Sequence, residues 1–460
     1  MNREVLRLSL PSMLSNITVP FVGMVDIAVA GHLYSSGLYT AAAHIGGISI
    51  GSMIFELLYW SFAFLRTATG GLVAQSYGKG DMRECGALFM RSLLLALLSV
   101  FLILILQWPF RKGALILSAC SPEVASLATR YVMVRIWAAP ATLSLMAFRG
   151  FFVGMQDSFS SMCTDLVVNV VNIISSIVLT IGVPALGFGG LGFDGIALGT
   201  VVAQYSGLLF AGFVVLSKYA RVFAGPPRSR REAMGGREGI VRFMSMNKDL
   251  FIRSLCFIAI YSGFTMISSH YGDLMLSACA ILMKVLMIFS YFTDGFAYAG
   301  EALGGRFIGA GDREGFQRCV RLVFAWSMGI AVIFILIYGF GGRSLARIMS
   351  PDREVISACM LFLPWLLLMP PLGCAAFTWD GIYQGATATR DVRNAMVLAA
   401  AAFILTWTAG STMLGRGFFS TSATDGAAYI HVLMAAYFAH LLARTAYLSI
   451  RYGRMKKAAF

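Results

Sequence analysis

The sequence predicts an all-α polytopic membrane protein, with twelve transmembrane helices in two six-helix lobes related by a pseudo-twofold axis. Three observations support this fold class. Hydrophobic residues make up 58% of the 460 residues and charged residues only 13%, about half of the roughly 25% charged residues of soluble domains. Apolar runs long enough to cross a bilayer recur along the whole chain. The two halves also share short motifs at one constant spacing.

Twelve apolar runs account for the predicted spans. A soluble fold would have to bury all of them as core helices, which is far from the helix content and length of ordinary soluble domains. The first run is long and is not followed by a small-residue cleavage site, so we expect it to be a span and not a signal peptide. The predicted spans are residues 9–30, 43–65, 88–107, 128–152, 162–184, 191–216, 250–269, 276–303, 320–340, 359–384, 393–414 and 427–450.

Lysine and arginine are distributed unevenly between the connections. In a soluble domain, the net charge of +14 would suggest a nucleic-acid partner. Here most basic residues lie in connections on one side of the predicted spans. The positive-inside rule then predicts that both termini lie in the cytoplasm, and we expect the protein in the inner (plasma) membrane of the cell. The charge reflects topology and contact with membrane lipids, and no nucleic-acid partner is expected.

The two halves of the chain repeat. Four motifs recur 231 positions apart: Gly78-Lys79-Gly80-Asp81 and Gly309-Ala310-Gly311-Asp312, Gly150 with Gly154 and Gly381 with Gly385, Pro140 and Pro371, and Asp194-Gly195 and Asp425-Gly426. Because each half holds an even number of spans, the repeat is parallel, with its axis along the membrane normal. We expect an N-lobe over residues 1–216, a basic cytoplasmic linker over 217–249 and a C-lobe over 250–460.

Two of these motifs have structural explanations. The Gly-x-Gly-Asp motifs lack the Lys-Ser/Thr of a phosphate loop, so we expect them to form tight turns. Asp194 and Asp425 open the sixth and twelfth spans, where we expect them to cap the helix N-termini.

Asp26 is the single carboxylate of the first span. Steps of three and four residues place it on a stripe of small and polar residues, which comprises Ser12, Asn16, Gly23, Asp26 and Ala30. A carboxylate at that depth costs roughly 2.5–3.5 kcal/mol on insertion scales, so it is expected to face a cavity or a partner. Two interpretations stay open: an ion-coupling site, or a structural acid hydrogen-bonded inside the bundle.

A second polar stripe lies on the fifth span. Asp165, Asn169, Asn172 and Ser176 are spaced to share one helix face. Their oxygen atoms suit Na⁺ or a proton relay, so they are candidates for a site shared with Asp26. The alternative is a seam of hydrogen bonds between helices. Asp165 is the weakest member, since it lies near the cytoplasmic end of the span.

The eighth span carries both signs of charge. Its polar face comprises Lys284, Tyr291, Asp294, Tyr298 and Glu301. Opposite charges on one intramembrane helix suggest pairing with each other or with the other lobe. Arg66 in the second span is a candidate partner for Glu301. A charge-balanced structural network is the alternative.

Arg149 and Asp380 occupy equivalent positions of the two halves, near the cytoplasmic ends of the fourth and tenth spans. We expect an ionic contact between them that closes the inner side of the protein. Capping of the adjacent turns is the structural alternative.

Enzyme chemistry finds little support. The five histidines form no HExxH motif, and no GxSxG motif is present. The eight cysteines form no CxxC pair and lie mostly in or near apolar runs, as small core residues do. We therefore expect no enzymatic activity, no metal and no cofactor other than a driving ion.

Several segments resemble the MATE family (multidrug and toxic compound extrusion), and most closely its DinF-like branch. The resemblance rests on Met24–Leu33, Gln75–Asp81, Asn247–Arg253 and Asp294–Leu303. It implies twelve helices in two lobes and efflux of organic cations driven by inward H⁺ or Na⁺. It also implies that Asp26 is the coupling carboxylate of the N-lobe and that Asn172 belongs to that site. The family commonly has an aspartate four residues after this asparagine, where this chain has Ser176; the loss of that charge favours H⁺.

The expected function is therefore that of a monomeric antiporter. It would export amphipathic, cationic organic compounds by alternating access, coupled to inward H⁺ or Na⁺. A flippase for lipid-linked oligosaccharides, of the same superfamily, is the first alternative, and Arg66, Arg149 and Arg253 would favour it if they line the cavity. A membrane-embedded enzyme or scaffold is the second.

Overall fold

The computed structural model is all-helical over the residues that it describes, which are 1–31, 33, 40–118, 121–183, 187, 189–223, 236–415 and 426–460. In chain order the α-helices are α1 (Asn2–Gly31), α2 (Ala41–Ser61), α3 (Phe64–Gly78), α4 (Met82–Ser118), α5 (Pro122–Arg135), α6 (Ala139–Gly154), α7 (Ser158–Ile181), α8 (Phe193–Lys218), α9 (Ala220–Phe223), α10 (Gly236–Ser269), α11 (Asp273–Gly309), α12 (Arg313–Met349), α13 (Arg353–Leu361), α14 (Leu363–Gly385), α15 (Thr389–Gly415) and α16 (Gly426–Ala459).

The helices confirm the predicted fold class. Within the described residues, eleven helices are long and apolar enough to cross a membrane, or twelve if the pair α13 and α14, bent by 52°, forms one span. That pair corresponds to the predicted span 359–384. Its break at Phe362 has a chemical cause, because Pro364 cannot donate the backbone hydrogen bond that would continue α13 into α14.

Several helices extend beyond the predicted spans. α4 runs well past the predicted span 88–107 at both ends, since hydrophobicity marks only the part of a helix that the membrane covers. α10 begins inside the predicted linker 217–249. The Arg- and Pro-rich part of that linker, the repeat residue Asp425, and His32 of the resemblance motif lie outside the described residues.

Residues 14–241 form one compact unit. Within it α7 packs along α8, and α3 along α6. The second contact depends on glycine, because a Cβ at Gly150 would lie 2.7 Å from Thr69 Cβ and one at Gly154 would lie 2.6 Å from Val73 Cβ. Such distances leave no space for a side chain, so these glycines set the spacing of the two helices.

Residues 1–13 and 242–460 form the other compact unit. Its core contains Phe289, Phe334 and Phe362, and its closest helix pairs include α11 with α14 and α15 with α16. A Cβ at Gly381 would lie 2.6 Å from the Ala297 carbonyl carbon. Since Gly381 is the repeat equivalent of Gly150, the repeated glycines perform the same packing role in each unit.

The repeated turns behave as predicted. Gly80 and Gly311 adopt positive φ angles of 75° and 71°, a conformation that favours glycine. Asp81 Oδ1 accepts a hydrogen bond from the Glu84 amide at 2.9 Å, and Asp312 Oδ1 accepts one from the Gly315 amide at 2.7 Å.

The predicted cap at Asp194 is wrong. Gly192 is the N-cap of α8, and Asp194 lies within the first turn of the helix. Its carboxylate instead forms an ion pair with Arg130, with 2.6 Å between Asp194 Oδ2 and the guanidinium. The other carboxylate oxygen, Asp194 Oδ1, is buried with no hydrogen-bond partner, so this side chain does not cap the helix.

Candidate functional site

Asp26 lies on α1 with its side chain turned inward. The residue is 7% exposed, and its Oδ1 atom is buried with no hydrogen-bond partner. Such an atom carries a desolvation cost that a proton, a cation or a water molecule would remove. Burial within a membrane-spanning helix therefore makes Asp26 the centre of the candidate site.

Two side chains interact with the Asp26 carboxyl. The Ser176 hydroxyl on α7 faces the carboxyl without forming a hydrogen bond to it, and Arg135, the last residue of α5, acts on the carboxyl electrostatically. Arg135 forms no ion pair with Asp26 within 4 Å among the described residues. The carboxylate thus faces a nearby positive charge without being neutralised by direct contact.

Arg135 is held in place by its own helix and by α2. One guanidinium nitrogen donates to the Tyr131 hydroxyl at 2.7 Å and to Ser52 Oγ at 3.2 Å. The guanidinium carbon lies 5.1 Å from the centre of the Phe55 ring, within the range of a cation–π contact. These contacts fix the position of the charge relative to the site.

The α7 face contributes further polar atoms. Asn172 Nδ2 donates to Thr200 Oγ1 at 3.1 Å, whereas Asn172 Oδ1 and Ser176 Oγ are buried with no hydrogen-bond partner. A Cβ at Gly199 would lie 2.6 Å from Ser176 Oγ, so α8 closes this side of the site. The result is a buried group of oxygen atoms on α1 and α7 with unused hydrogen-bonding capacity.

Asp165 and Asn169 lie further along the same face and have other partners. Asp165 forms an ion pair with Arg149, with 2.6 Å between Arg149 Nε and Oδ1, and accepts a hydrogen bond from Ser15. Asn169 donates to Thr18 Oγ1 at 2.5 Å. Eleven residues of α-helix separate Asp165 from Ser176 by about 16 Å. The structure therefore does not bring Asp165 to Asp26.

The unit of residues 1–13 and 242–460 contains a separate charged cluster. Asp380 on α14 lies 2.7 Å from Arg253 and 3.0 Å from Arg444. Arg444 is 2% exposed and also interacts electrostatically with Asp294. Asp380 is thus the shared counter-ion of two arginines in this unit.

The remaining predicted residues are more dispersed. Lys284 is exposed, whereas Glu301 is fully buried. Arg66 is half-buried, and its guanidinium donates to Thr67 Oγ1 at 3.1 Å. Asp294 of this face interacts electrostatically with Arg444 on α16, and pairing along the face as a whole stays a prediction. The suggested contact of Arg66 with Glu301 stays a prediction.

Two functional candidates were missed in the sequence, Arg135 and Arg444. Each is an arginine inside or beside a predicted span, which is costly in a membrane unless a partner or cavity receives it. That rule drew attention to the carboxylates and applies equally to these cations. The spacing Tyr131 to Arg135, one helical turn, was a further signal.

Comparison with known proteins gives a consistent result. The MatE family profile matches residues 11–178 and 250–408. The DNA damage-inducible protein F of Escherichia coli (strain K12) is 31% identical over 87% of this chain and 84% of its own length. The probable multidrug resistance protein NorM of Photorhabdus laumondii is 24% identical over 85% of this chain and 83% of its own length.

The fold also matches solved structures. A Vibrio cholerae MATE transporter, VcmN in the bent form, has a TM-score of 0.81 with 15% sequence identity, over 100% of this chain and 97% of that one. At this identity the match shows the fold alone.

Proposed function

The chain belongs to the MATE family, and we propose that it exports amphipathic organic cations in exchange for inward-moving protons. It is a multi-pass membrane transporter of this family and not an enzyme. The observation that carries the proposal is the buried Asp26 carboxyl on α1, with an oxygen that has no hydrogen-bond partner. Binding a proton neutralises such a carboxylate and so removes the cost of keeping its charge buried.

The set of oxygen ligands favours H⁺ over Na⁺. Na⁺ requires several oxygen ligands and benefits from a second carboxylate, but this chain has Ser176 where the family commonly has aspartate. Arg135 places a fixed positive charge near Asp26, which opposes the binding of either cation, so a Na⁺ ion would lack the second carboxylate that could offset this repulsion. A proton needs only one oxygen atom, and its transfer neutralises the carboxylate.

Protonation supplies the link to movement. When Asp26 becomes neutral, its attraction to Arg135 disappears and the cost of burying it falls. The balance between two conformations then shifts by that difference in free energy. Each charge that moves inward gains roughly 2.3 kcal/mol per 100 mV of membrane potential, which is enough to bias such an equilibrium.

The substrate class rests on similarity and composition. The Photorhabdus relative is called a probable multidrug resistance protein. The chain contains 25 methionines and 35 phenylalanines, which form adaptable apolar walls for bulky ligands where they line a cavity. We place the protein in the inner (plasma) membrane as a monomer, and the distribution of Lys and Arg supports an orientation with both termini in the cytoplasm.

We further propose that Arg149 and Asp380 meet when the inner side closes. Arg149 is otherwise paired with Asp165, and Asp380 with Arg253 and Arg444. The contact therefore requires one of these ion pairs to open during the cycle. Arg149→Ala should raise cytoplasmic labelling of cavity cysteines, and unchanged labelling would exclude the contact.

The decisive experiment is efflux of a fluorescent cationic dye from proteoliposomes under an imposed pH gradient or an imposed Na⁺ gradient. We expect efflux with the pH gradient alone and its loss in Asp26→Asn, while Asp273→Asn, an exposed aspartate at the start of α11, retains it. Efflux that requires Na⁺ would contradict the proton proposal. Absence of dye movement under both gradients would favour a lipid-linked oligosaccharide flippase.

A further inference from the structure

A polar cleft lies beside the beginning of α1, within the unit of residues 1–13 and 242–460. It consists of two cavities of about 440 and 540 Å³ that share Met1, Arg318 and Arg321 as lining residues. Asp312 and Glu314 line the first cavity. Each volume is within the roughly 300–1,000 Å³ range of small-molecule sites.

The cleft presents separated charges of both signs. Arg318 and Arg321 are exposed and lie three residues apart on α12, so they share one helix face. Glu314 precedes Arg318 by four residues, a spacing at which such side chains commonly pair. In the described part of the chain they form no ion pair, and Arg318 contacts no other carboxylate within 4 Å. The Arg318 guanidinium and the Glu314 carboxylate therefore remain available to a ligand that has both an anionic and a cationic group.

An apolar stripe continues from the cleft along α12. Met328 follows Arg321 by two helical turns, and Val332, Leu336 and Phe340 continue at steps of about one turn. All four side chains are exposed. Trp326, whose indole nitrogen donates to Asn2 Oδ1 at 3.3 Å, lies between the charged and apolar parts. An exposed tryptophan at such a boundary is typical of the membrane interface.

We propose that this cleft binds a phospholipid with a primary ammonium headgroup, phosphatidylethanolamine. The phosphate accepts hydrogen bonds from Arg318 and Arg321, which suit phosphate oxygens. The ammonium donates to Asp312 and Glu314. The acyl chains lie along the exposed stripe of α12.

Charge complementarity favours this headgroup over the other common ones. A purely anionic headgroup would leave the two carboxylates without a cationic partner and close to its own negative charge. A choline headgroup carries the positive charge but has no N–H donor for them. Only the primary ammonium satisfies both ends of the cleft.

The site also lies where α1 is anchored. Glu4 pairs with Arg306 at 3.2 Å, and the Met1 amino group lies 3.6 Å from Glu4. Because α1 continues unbroken to Asp26, a lipid at this position would steady the first turn of the helix that carries the coupling carboxylate.

Native mass spectrometry of the full chain in detergent tests the proposal directly. The protein is titrated with phosphatidylethanolamine, phosphatidylcholine and phosphatidylglycerol of identical acyl chains. We expect preferential retention of phosphatidylethanolamine and a roughly hundredfold weaker affinity in Arg318→Gln/Arg321→Gln, the loss of two charge-assisted contacts. Glu314→Gln should remove the preference over phosphatidylcholine while phosphate-dependent binding persists.

Arg343→Gln/Arg347→Gln, at the opposite end of α12 and also exposed, is the matched control and should bind like the wild type. Equal retention by the Arg318/Arg321 variant would overturn the site. Tighter binding of phosphatidylglycerol would overturn the ammonium assignment, and competition by millimolar inorganic phosphate would assign the cleft to free phosphate. Because binding is measured without transport, failure here is distinguishable from failure of the antiport proposal.

Discussion

Gly385 of α14 lies so close to Glu301 of α11 that a Cβ on the glycine would stand 3.0 Å from the Glu301 Cα. In the other unit a Cβ at Gly154 would stand 2.9 Å from the Gly70 carbonyl oxygen. Gly154 and Gly385 are repeat equivalents, as are Gly70 and Glu301. The repeated glycines Gly154 and Gly385 therefore mark an equivalent close contact between two helices in each unit. Small residues allow such contacts in membrane proteins.

The first prediction concerns these contacts. Gly154→Ala and Gly385→Ala should each destabilise the protein by about 1–3 kcal/mol, because the added methyl overpacks two helices. Gly329→Ala in α12 is the control, since nothing lies within 4 Å of its Cβ position. It should be neutral or stabilising by up to about 1 kcal/mol. Thermal unfolding in detergent checks all three, and equal effects at the three positions would contradict the packing role.

The architecture was predictable because hydrophobicity and motif spacing are properties of the chain itself. Apolar runs located the spans, and the recurrence of Gly150 and Gly154 at Gly381 and Gly385 identified the repeat. The breaks between consecutive helices of one span were harder to predict from the sequence. Phe362, where α13 ends, lies inside a continuous apolar run, and only Pro364 marks the bend.

The second prediction concerns the buried counter-ion of the second unit. Asp380→Asn should cost about 3–5 kcal/mol, because it leaves the charges of Arg253 and Arg444 facing each other without compensation. Arg253→Met should cost less, since its side chain is 22% exposed, against 2% for Arg444. The unfolding temperature of each variant gives the order. An Asp380→Asn variant as stable as the wild type would exclude a structural role for the cluster.

The third prediction concerns the coupling ion. If Ser176 and Arg135 together exclude Na⁺, the Ser176→Asp/Arg135→Gln variant should gain a Na⁺ site, because it has a second carboxylate and no nearby fixed cation. Its unfolding temperature should rise when NaCl replaces choline chloride, while that of the wild type does not. Ser176→Asp with Arg130→Gln serves as the control, since Arg130 is 56% exposed and pairs with Asp194. A Na⁺ response of the wild type would refute the argument.

The candidate site was only partly predictable. Asp26 was identified as the single carboxylate of its span, and Asn172 and Ser176 as members of a polar stripe on one helix face. The residues that contact them from other helices were not identified, because sequence spacing shows which residues share a helix face but not which helix packs against that face. Ser15 and Thr18, which contact Asp165 and Asn169, were not among the residues assigned to the predicted polar stripe of the first span.

The fourth prediction concerns pH and lies outside the spans. Burial of Asp157 opposes its ionisation, but hydrogen bonds from Lys218, Ser160 and Tyr219 outweigh it, so the pKa of this carboxyl lies below its ordinary value. A lowered folded-state pKa contributes stability that is fully present above the unfolded pKa, about 4, and is lost as the pH falls through the folded pKa.

Asp157→Asn isolates this charge, because asparagine still caps the α7 N-terminus. The variant should be less stable than the wild type at pH 7, and the difference should shrink as the pH is lowered below about 4. Unfolding temperatures measured across this range check it. A constant difference would assign the effect to the cap geometry and not to the charge.

The last prediction separates the two aspartates of the α1–α7 region. Asp165 is paired with Arg149 about 16 Å along α7 from Ser176, so we expect it to stabilise the structure and not to carry the driving ion. Asp165→Asn should lower the unfolding temperature but retain dye efflux under a pH gradient, whereas Asp26→Asn should lose efflux. A double-mutant cycle with Arg149→Met should show coupling of about 0.5–3 kcal/mol, as for residues in direct contact. Loss of gradient-driven efflux in a correctly folded Asp165→Asn variant would instead place Asp165 in the coupling path.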